Sequence, residues 1–277
     1  MSPDADRTRK ARAAAERALV RVAHHYGGRP PFVLLGGLVP ELLCAEADAI
    51  HAGTSDIDVQ VDLEVTEGAV NAARLERALI NAEFTPDGKR VWRWRADGAE
   101  AGAEVKFELL TDRDDAPSGA TIVFDECEHL GAANLFGTGW AARDHAIVTL
   151  AARIGGMPYS AEINVAGLAG FLLAKVFAAD SRRAPKDWYD VAFVLLHNDA
   201  GGADQAANEV LALLGEAPKG ATRSALLDLR ANFATPSSQG PVAYAAQMLL
   251  NHPEQNADVL RADAVLAVEA FVGRLLG

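Results

Sequence analysis

From Asp56 onward the sequence alternates with a period of two. Asp56, Asp58, Gln60, Asp62 and Glu64 point one way; Ile57, Val59, Val61, Leu63 and Val65 point the other. That is the pattern of a half-buried strand, and it commits the chain to a sheet with one acidic face. Upstream, the apolar run Phe32 to Leu35 breaks at Gly36-Gly37. A short apolar helical segment and the polar turn Gly53-Thr54-Ser55 follow. Two carboxylates at i and i+2 project from the same face about 7 Å apart along the strand. Both can therefore reach one metal, or bridge two about 4 Å apart. A Gly-Gly at a strand end lets backbone N–H groups approach a phosphate at the positive end of the next helix. The stretch reads as a site for a metal–nucleotide complex; the alternative is an amphipathic edge strand with a solvated acidic face.

Residues 1–27 read as one helix with the apolar stripe Ala15, Leu19, Val22 and Ala23, ended by Gly27-Gly28. Thr66 caps a second helix running to about Ala82, with Glu67 in its first turn. Asp87-Gly88 turns the chain into a strand at Lys89–Arg95, and Asp97-Gly98 turns it again into Ala103–Leu110. Lys89, Arg93 and Arg95 alternate with Arg90, Trp92 and Trp94. The pattern fits a basic, aromatic surface for RNA or a two-faced strand with tryptophan inside and arginine in water. A polar loop at 111–119 precedes short strands at Thr121–Phe124, Ala146–Leu150 and Ala161–Val165, with glycine-rich connections at 131–139 and 155–156. Beyond Val165 the period becomes helical: 166–180 (capped by Asn164), 185–198, 203–214, 219–232, 241–251 and 257–275. The expected fold class is α+β, a mixed sheet with flanking helices over 1–165 followed by a helical bundle over 166–277.

Lys175 is the only charge between Val165 and Ala179, and it falls on the stripe of Leu168 and Phe171. A buried ammonium needs an anion. The sequence offers Asp187 and Asp190, three apart on one helical face, or an anionic ligand. The intramolecular reading is a Lys175–Asp190 or Arg182–Asp187 ion pair that docks two helices.

The formal net charge of −12 argues against broad non-specific binding of nucleic acid and confines any RNA surface to a local patch, drawn from Lys89, Arg90, Arg93, Arg95, Arg182 and Arg183. Cys44 and Cys127 have no metal-ligand spacing, no apolar run reaches the length of a membrane span, and no apolar signal segment follows the charged N-terminus. A reducing cytoplasm and no membrane partner are expected.

Gly36-Gly37 followed by Ser55-Asp56-Ile57-Asp58-Val59 resembles the signature of the polymerase-beta type of nucleotidyltransferase. Lys175, Arg182 and Lys186-Asp187-x-x-Asp190 resemble the C-terminal signature of the AbiEii-type nucleotidyltransferase toxins. The likeness spans roughly residues 30–198 in scattered motifs. It implies a metal-dependent enzyme in which Asp56 and Asp58 hold Mg²⁺ or Mn²⁺. The third metal acid is Glu108, in Phe107-Glu108-Leu109-Leu110, with Glu104 in reserve. Gly36, Gly37, Thr54, Ser55 and Lys175 would hold the NTP phosphates. Glu108 or the Asp187/Asp190 pair would orient or deprotonate the attacking hydroxyl, so that the helical part completes the active site. The family further implies the 3′ end of tRNA as acceptor and a cognate antitoxin as partner; a protein or small-molecule hydroxyl is the alternative acceptor, and a non-catalytic nucleotide-binding module the alternative class. The family's arginine ahead of the D-x-D has no counterpart, since His51-Ala52-Gly53 stands there. That leaves triphosphate contact on this loop to Thr54, Ser55 and His51.

Overall fold

A computed structural model describes residues 8–61, 69–96 and 104–277. The expected continuation of the acidic strand through 62–65, the Thr66 cap with Glu67, and the Asp97-Gly98 turn lie outside the described residues. The described chain runs α1 (Arg9–Tyr26), β1 (Phe32–Leu35), α2 (Pro40–Leu43), β2 (Asp56–Val61), α3 (Ala69–Asn81), β3 (Thr85–Asp87), β4 (Arg90–Ala96) and β5 (Val105–Thr111). It continues through β6 (Thr121–Val123), β7 (Gly131–Asn134), α4 (Trp140–Arg143), β8 (His145–Ile154) and β9 (Met157–Ala166). Six helices close it: α5 (Leu168–Arg182), α6 (Pro185–His197), α7 (Ala203–Leu214), α8 (Gly220–Asn232), α9 (Gln239–Asn251) and α10 (Ala257–Leu276). The class is α+β. Two compact units divide it: the described residues of Met1–Val39 with Gly53–Ala166, and Pro40–Ala52 with Gly167–Gly277. Among the described residues no helix is long and apolar enough to cross a membrane.

The first unit is built on a mixed sheet of order β3-β4-β5-β2-β1-β9-β8, with β7 beside the end of β5 and β6 beside β7. β1 runs antiparallel to β2 and parallel to β9, while β2 runs parallel to β5. The registers give each face a composition. Phe32, Leu34, Ile57, Val59, Val105, Phe107, Leu109 and Trp94 share the apolar face and are all buried. Asp56, Asp58, Lys106, Glu108, Arg93 and Arg95 share the other. Phe107 packs edge-on to Phe32 and Phe84, with ring centroids 5.7 and 5.8 Å apart. α1 begins where the Thr8 hydroxyl accepts the Ala11 N–H and ends at Gly27, whose φ of +76° closes the last turn. Its stripe of Ala15, Leu19, Val22 and Ala23 is buried.

The sheet departs from expectation at several places, among them β3, where only the Asp87-Gly88 turn was expected. The connection at 131–139 contains β7, made of small residues (Gly131-Ala132-Ala133-Asn134) that carry little strand propensity of their own. A Cβ at Gly131 would fall 2.6 Å from the Ile122 carbonyl, so glycine is what lets β6 approach. β8 and β9 are ten residues each, longer than expected, because Gly155 and Gly156 both take positive φ (+56° and +82°) and turn the hairpin in two residues. Asn164 caps no helix: it lies in β9, where its amide donates to the carbonyls of Pro30 (3.3 Å) and Phe32 (3.1 Å), and α5 starts from Gly167.

In the second unit α6 is buried at every position from Asp187 to Leu195, as befits the central helix of a bundle. Residues 40–52 belong to this unit although they lie between β1 and β2 in sequence. Asp199 accepts the N–H groups of Ala45 (2.9 Å) and Glu46 (3.0 Å), His252 Nε2 accepts that of Ile50 (3.1 Å), and the Tyr189 hydroxyl accepts that of Ala52 (2.9 Å).

Candidate functional site

Parallel pairing of β2 with β5 sets Asp58 directly across from Glu108 and Asp56 across from Lys106. Antiparallel pairing of β5 with β4 then sets Arg93 beside Glu108 and Arg95 beside Lys106. The polar face thus carries two rows across three strands, Arg93–Glu108–Asp58 and Arg95–Lys106–Asp56. Arg93 donates to Glu108 (2.5 Å) and Lys106 Nζ to Asp56 Oδ1 (3.2 Å). Glu104, just ahead of β5, is held by Arg95 (3.2 Å). Of the two acids considered for the third position, Glu108 is therefore the one in register with Asp58.

The turns at the strand ends meet this face. Gly36 has φ +73°, and a Cβ there would fall 1.9 Å from Asp58 Oδ2, so this backbone lies directly on the carboxylate. A Cβ at Gly37 would approach Thr54 to 3.1 Å. The Thr54 hydroxyl accepts the Asp56 N–H (3.1 Å), and the Ser55 hydroxyl reaches Asp56 Oδ1 (3.5 Å). Gly36, Gly37, Thr54, Ser55, Asp56, Asp58 and Glu108 are thus gathered in one unit. Gly36→Ala is expected to cost about 1–3 kcal/mol, from positive φ and the clash, and to push Asp58 aside. Urea unfolding and Mn²⁺ titration check this; an unchanged midpoint with unchanged Mn²⁺ affinity would contradict the close approach.

Burial, and then the negative charge of Asp58, raises the Glu108 carboxyl from 4.5 to about 7; Asp56 adds to the rise, and Arg93 opposes it. A folded value above the unfolded one makes protonated Glu108 a source of stability below about pH 4.5. That stability is lost as pH climbs through 7. Glu108→Gln should remove the dependence: its stability advantage over wild type should grow between pH 5 and 8 by on the order of 2–3 kcal/mol. Equal pH profiles for the two proteins in urea unfolding would contradict it.

Among the described residues no group of three or more His, Cys, Asp and Glu side chains is closed to metal-ligating geometry. The donor set nonetheless suits a hard divalent cation, being all carboxylate oxygen on half-exposed strand positions. Burial is the first cause of the rise at Glu108, with the charges of Asp58 and Asp56 adding to it and Arg93 opposing it. To bind here, Mg²⁺ or Mn²⁺ would have to displace Lys106 from Asp56.

The second unit holds the other expected residues in a buried network. Lys175 Nζ donates to Asp190 Oδ2 (2.6 Å) and Asp187 Oδ1 (3.4 Å), and Arg182 donates to Asp187 Oδ1 (2.8 Å). His51 Nε2 donates to Asp190 Oδ1 (3.0 Å), with its ring stacked on Tyr189 and edge-on to Phe193. Asp187 is fully buried, and its Oδ2 has no hydrogen-bond partner among the described residues. This is the ion-paired docking of α5 on α6 that the spacing allowed. His51 is buried among these helices.

Of the six cations expected to form a patch, four are engaged by carboxylates: Arg93 by Glu108, Arg95 by Asp87 and Glu104, Arg182 by Asp187 and Arg183 by Asp228. Trp94 is in the core and Trp92 is half-buried, with Arg90 and Arg93 over its ring. Sequence reasoning left Lys106 out of the site and gave Arg93 to an RNA patch rather than to Glu108. Lys106 carried a signal, a lone cation between Glu104 and Glu108 on one strand face. Comparison with family models, with curated proteins and with solved structures finds no match to this chain.

Proposed function

We propose that this chain is a divalent-metal-dependent nucleotidyltransferase, moving a nucleoside monophosphate from an NTP to an acceptor hydroxyl. The observation that carries the reading is the register of β2 with β5, which lines Asp58 up with Glu108 under the backbone of Gly36. When bound, Mg²⁺ or Mn²⁺ would neutralise charge on the phosphates and draw their oxygens into line. Asp56, Asp58 and Glu108 would hold it. The N–H groups of Gly36 and Gly37 and the Ser55 hydroxyl are at hand for the β- and γ-phosphates, and Glu108 for orienting the attacking hydroxyl. The NTP-phosphate role of Lys175 and the part of Asp187 or Asp190 in activating the hydroxyl rest on the sequence pattern. In the structure these three engage one another.

The acceptor we favour is the 3′ end of tRNA, with the protein acting as a toxin held by a cognate antitoxin. The support is the resemblance of the Lys175 to Asp190 stretch. A second reading, a sheet face of structural ion pairs with no catalytic role, is favoured by Lys106 on Asp56 and Arg93 on Glu108. Incubation with α-³²P-NTPs and Mg²⁺, with tRNA and with protein as acceptors, separates them. Label on tRNA supports the proposal in full, label on protein moves the acceptor, and no label with no NTP binding supports the structural reading.

A further inference from the structure

Lys106 sits at the centre of the charged face and has no part in the function as argued so far. Its ammonium is half-buried and holds Asp56, one of the three acids proposed to hold the divalent cation. The other acids around it are already served: Glu108 by Arg93, and Glu104 and Asp87 by Arg95. A cation binding at Asp56 would turn Lys106 off that carboxylate, while Glu104 on its other side stays with Arg95. The anion that arrives with that cation is the nucleotide's own polyphosphate. A lysine suits such a change of partner better than an arginine, since its point charge on a flexible stem needs no fixed fork geometry.

Resting on the nucleotidyltransferase reading, we infer that Lys106 is a counter-ion that exchanges partners: it neutralises Asp56 in the empty site and binds a phosphate oxygen of the metal-bound NTP when the site fills. The two states give opposite signs in one variant. Removing the ammonium removes the metal's competitor, so Lys106→Met should bind Mn²⁺ alone about three- to fivefold more tightly than wild type. The same variant should bind a non-hydrolysable ATP analogue, at saturating Mg²⁺, about tenfold or more weakly. Lys106→Arg keeps the charge and should stay near wild type for the analogue.

Paramagnetic resonance of free Mn²⁺ and calorimetry of the analogue read both, without reference to turnover. Mn²⁺ affinity that is unchanged or weaker in Lys106→Met overturns the displacement. Tighter Mn²⁺ with unchanged analogue affinity overturns the phosphate contact. Failure of wild type itself to bind Mn²⁺ sinks the metal-site reading, and this inference with it; that outcome is recognisable because it is seen before any variant is made.

Discussion

Lys175→Met should destabilise the helical unit by about 3–5 kcal/mol, the usual cost of stripping one partner from a buried ion network. Lys175 is 6% exposed, Asp187 0% and Asp190 2%, so the loss strands two carboxylates away from water. Asp190 would keep His51 and Asp187 would keep Arg182, which sets the loss short of complete unfolding. Adding Asp190→Asn to Lys175→Met should recover part of the stability, since the stranded charge is then gone. Urea unfolding of the single and double variants measures this. A single variant within about 1 kcal/mol of wild type would show that the pairs hold little, and would return Lys175 to the role of a ligand-binding cation.

On the proposed function, Asp58→Asn should reduce nucleotidyl transfer by at least about a thousandfold, because neutralising a carboxylate proposed to hold the metal would remove several kcal/mol of transition-state stabilisation. It should do so without unfolding the protein. Asp58 stands on the polar face, while Ile57 and Val59 on either side hold the core. The electrostatics adds a sign: the Asp58 charge is the second cause of the rise at Glu108, so its removal lets Glu108 ionise more readily. The variant should therefore match or exceed wild-type stability at pH 8. Transfer rates and thermal midpoints measured together decide; a variant that remains active with Mg²⁺ would remove Asp58 from the metal site.

The helical half was legible because apolar residues recur there at helical spacing between glycine and proline breaks; 203–214 coincides with α7 to the residue. The strand carrying Asp56 and Asp58 was legible through alternation, with Ile57, Val59 and Val61 buried as expected. β7 was hidden because Ala132, Ala133 and Asn134 are buried without large side chains to announce it. Strand register was hidden altogether, and with it the pairing of Lys106 with Asp56 and of Arg93 with Glu108, partners that meet across strands rather than along one. The placement of residues 40–52 with the helices was equally silent. It depends on hydrogen bonds accepted by Asp199, Tyr189 and His252, each more than a hundred residues away.

The carboxylates of β2 and β5 are proposed to hold a metal-bound nucleotide. The most direct test is to count Mn²⁺ bound by the protein with a non-hydrolysable NTP, in wild type and in Asp56→Asn with Asp58→Asn. Wild type should bind Mn²⁺ saturably, with NTP and metal each tightening the other, and the doubly substituted protein should lose about a hundredfold or more in affinity. Equal Mn²⁺ binding by the two proteins, or none by either, would contradict the proposal.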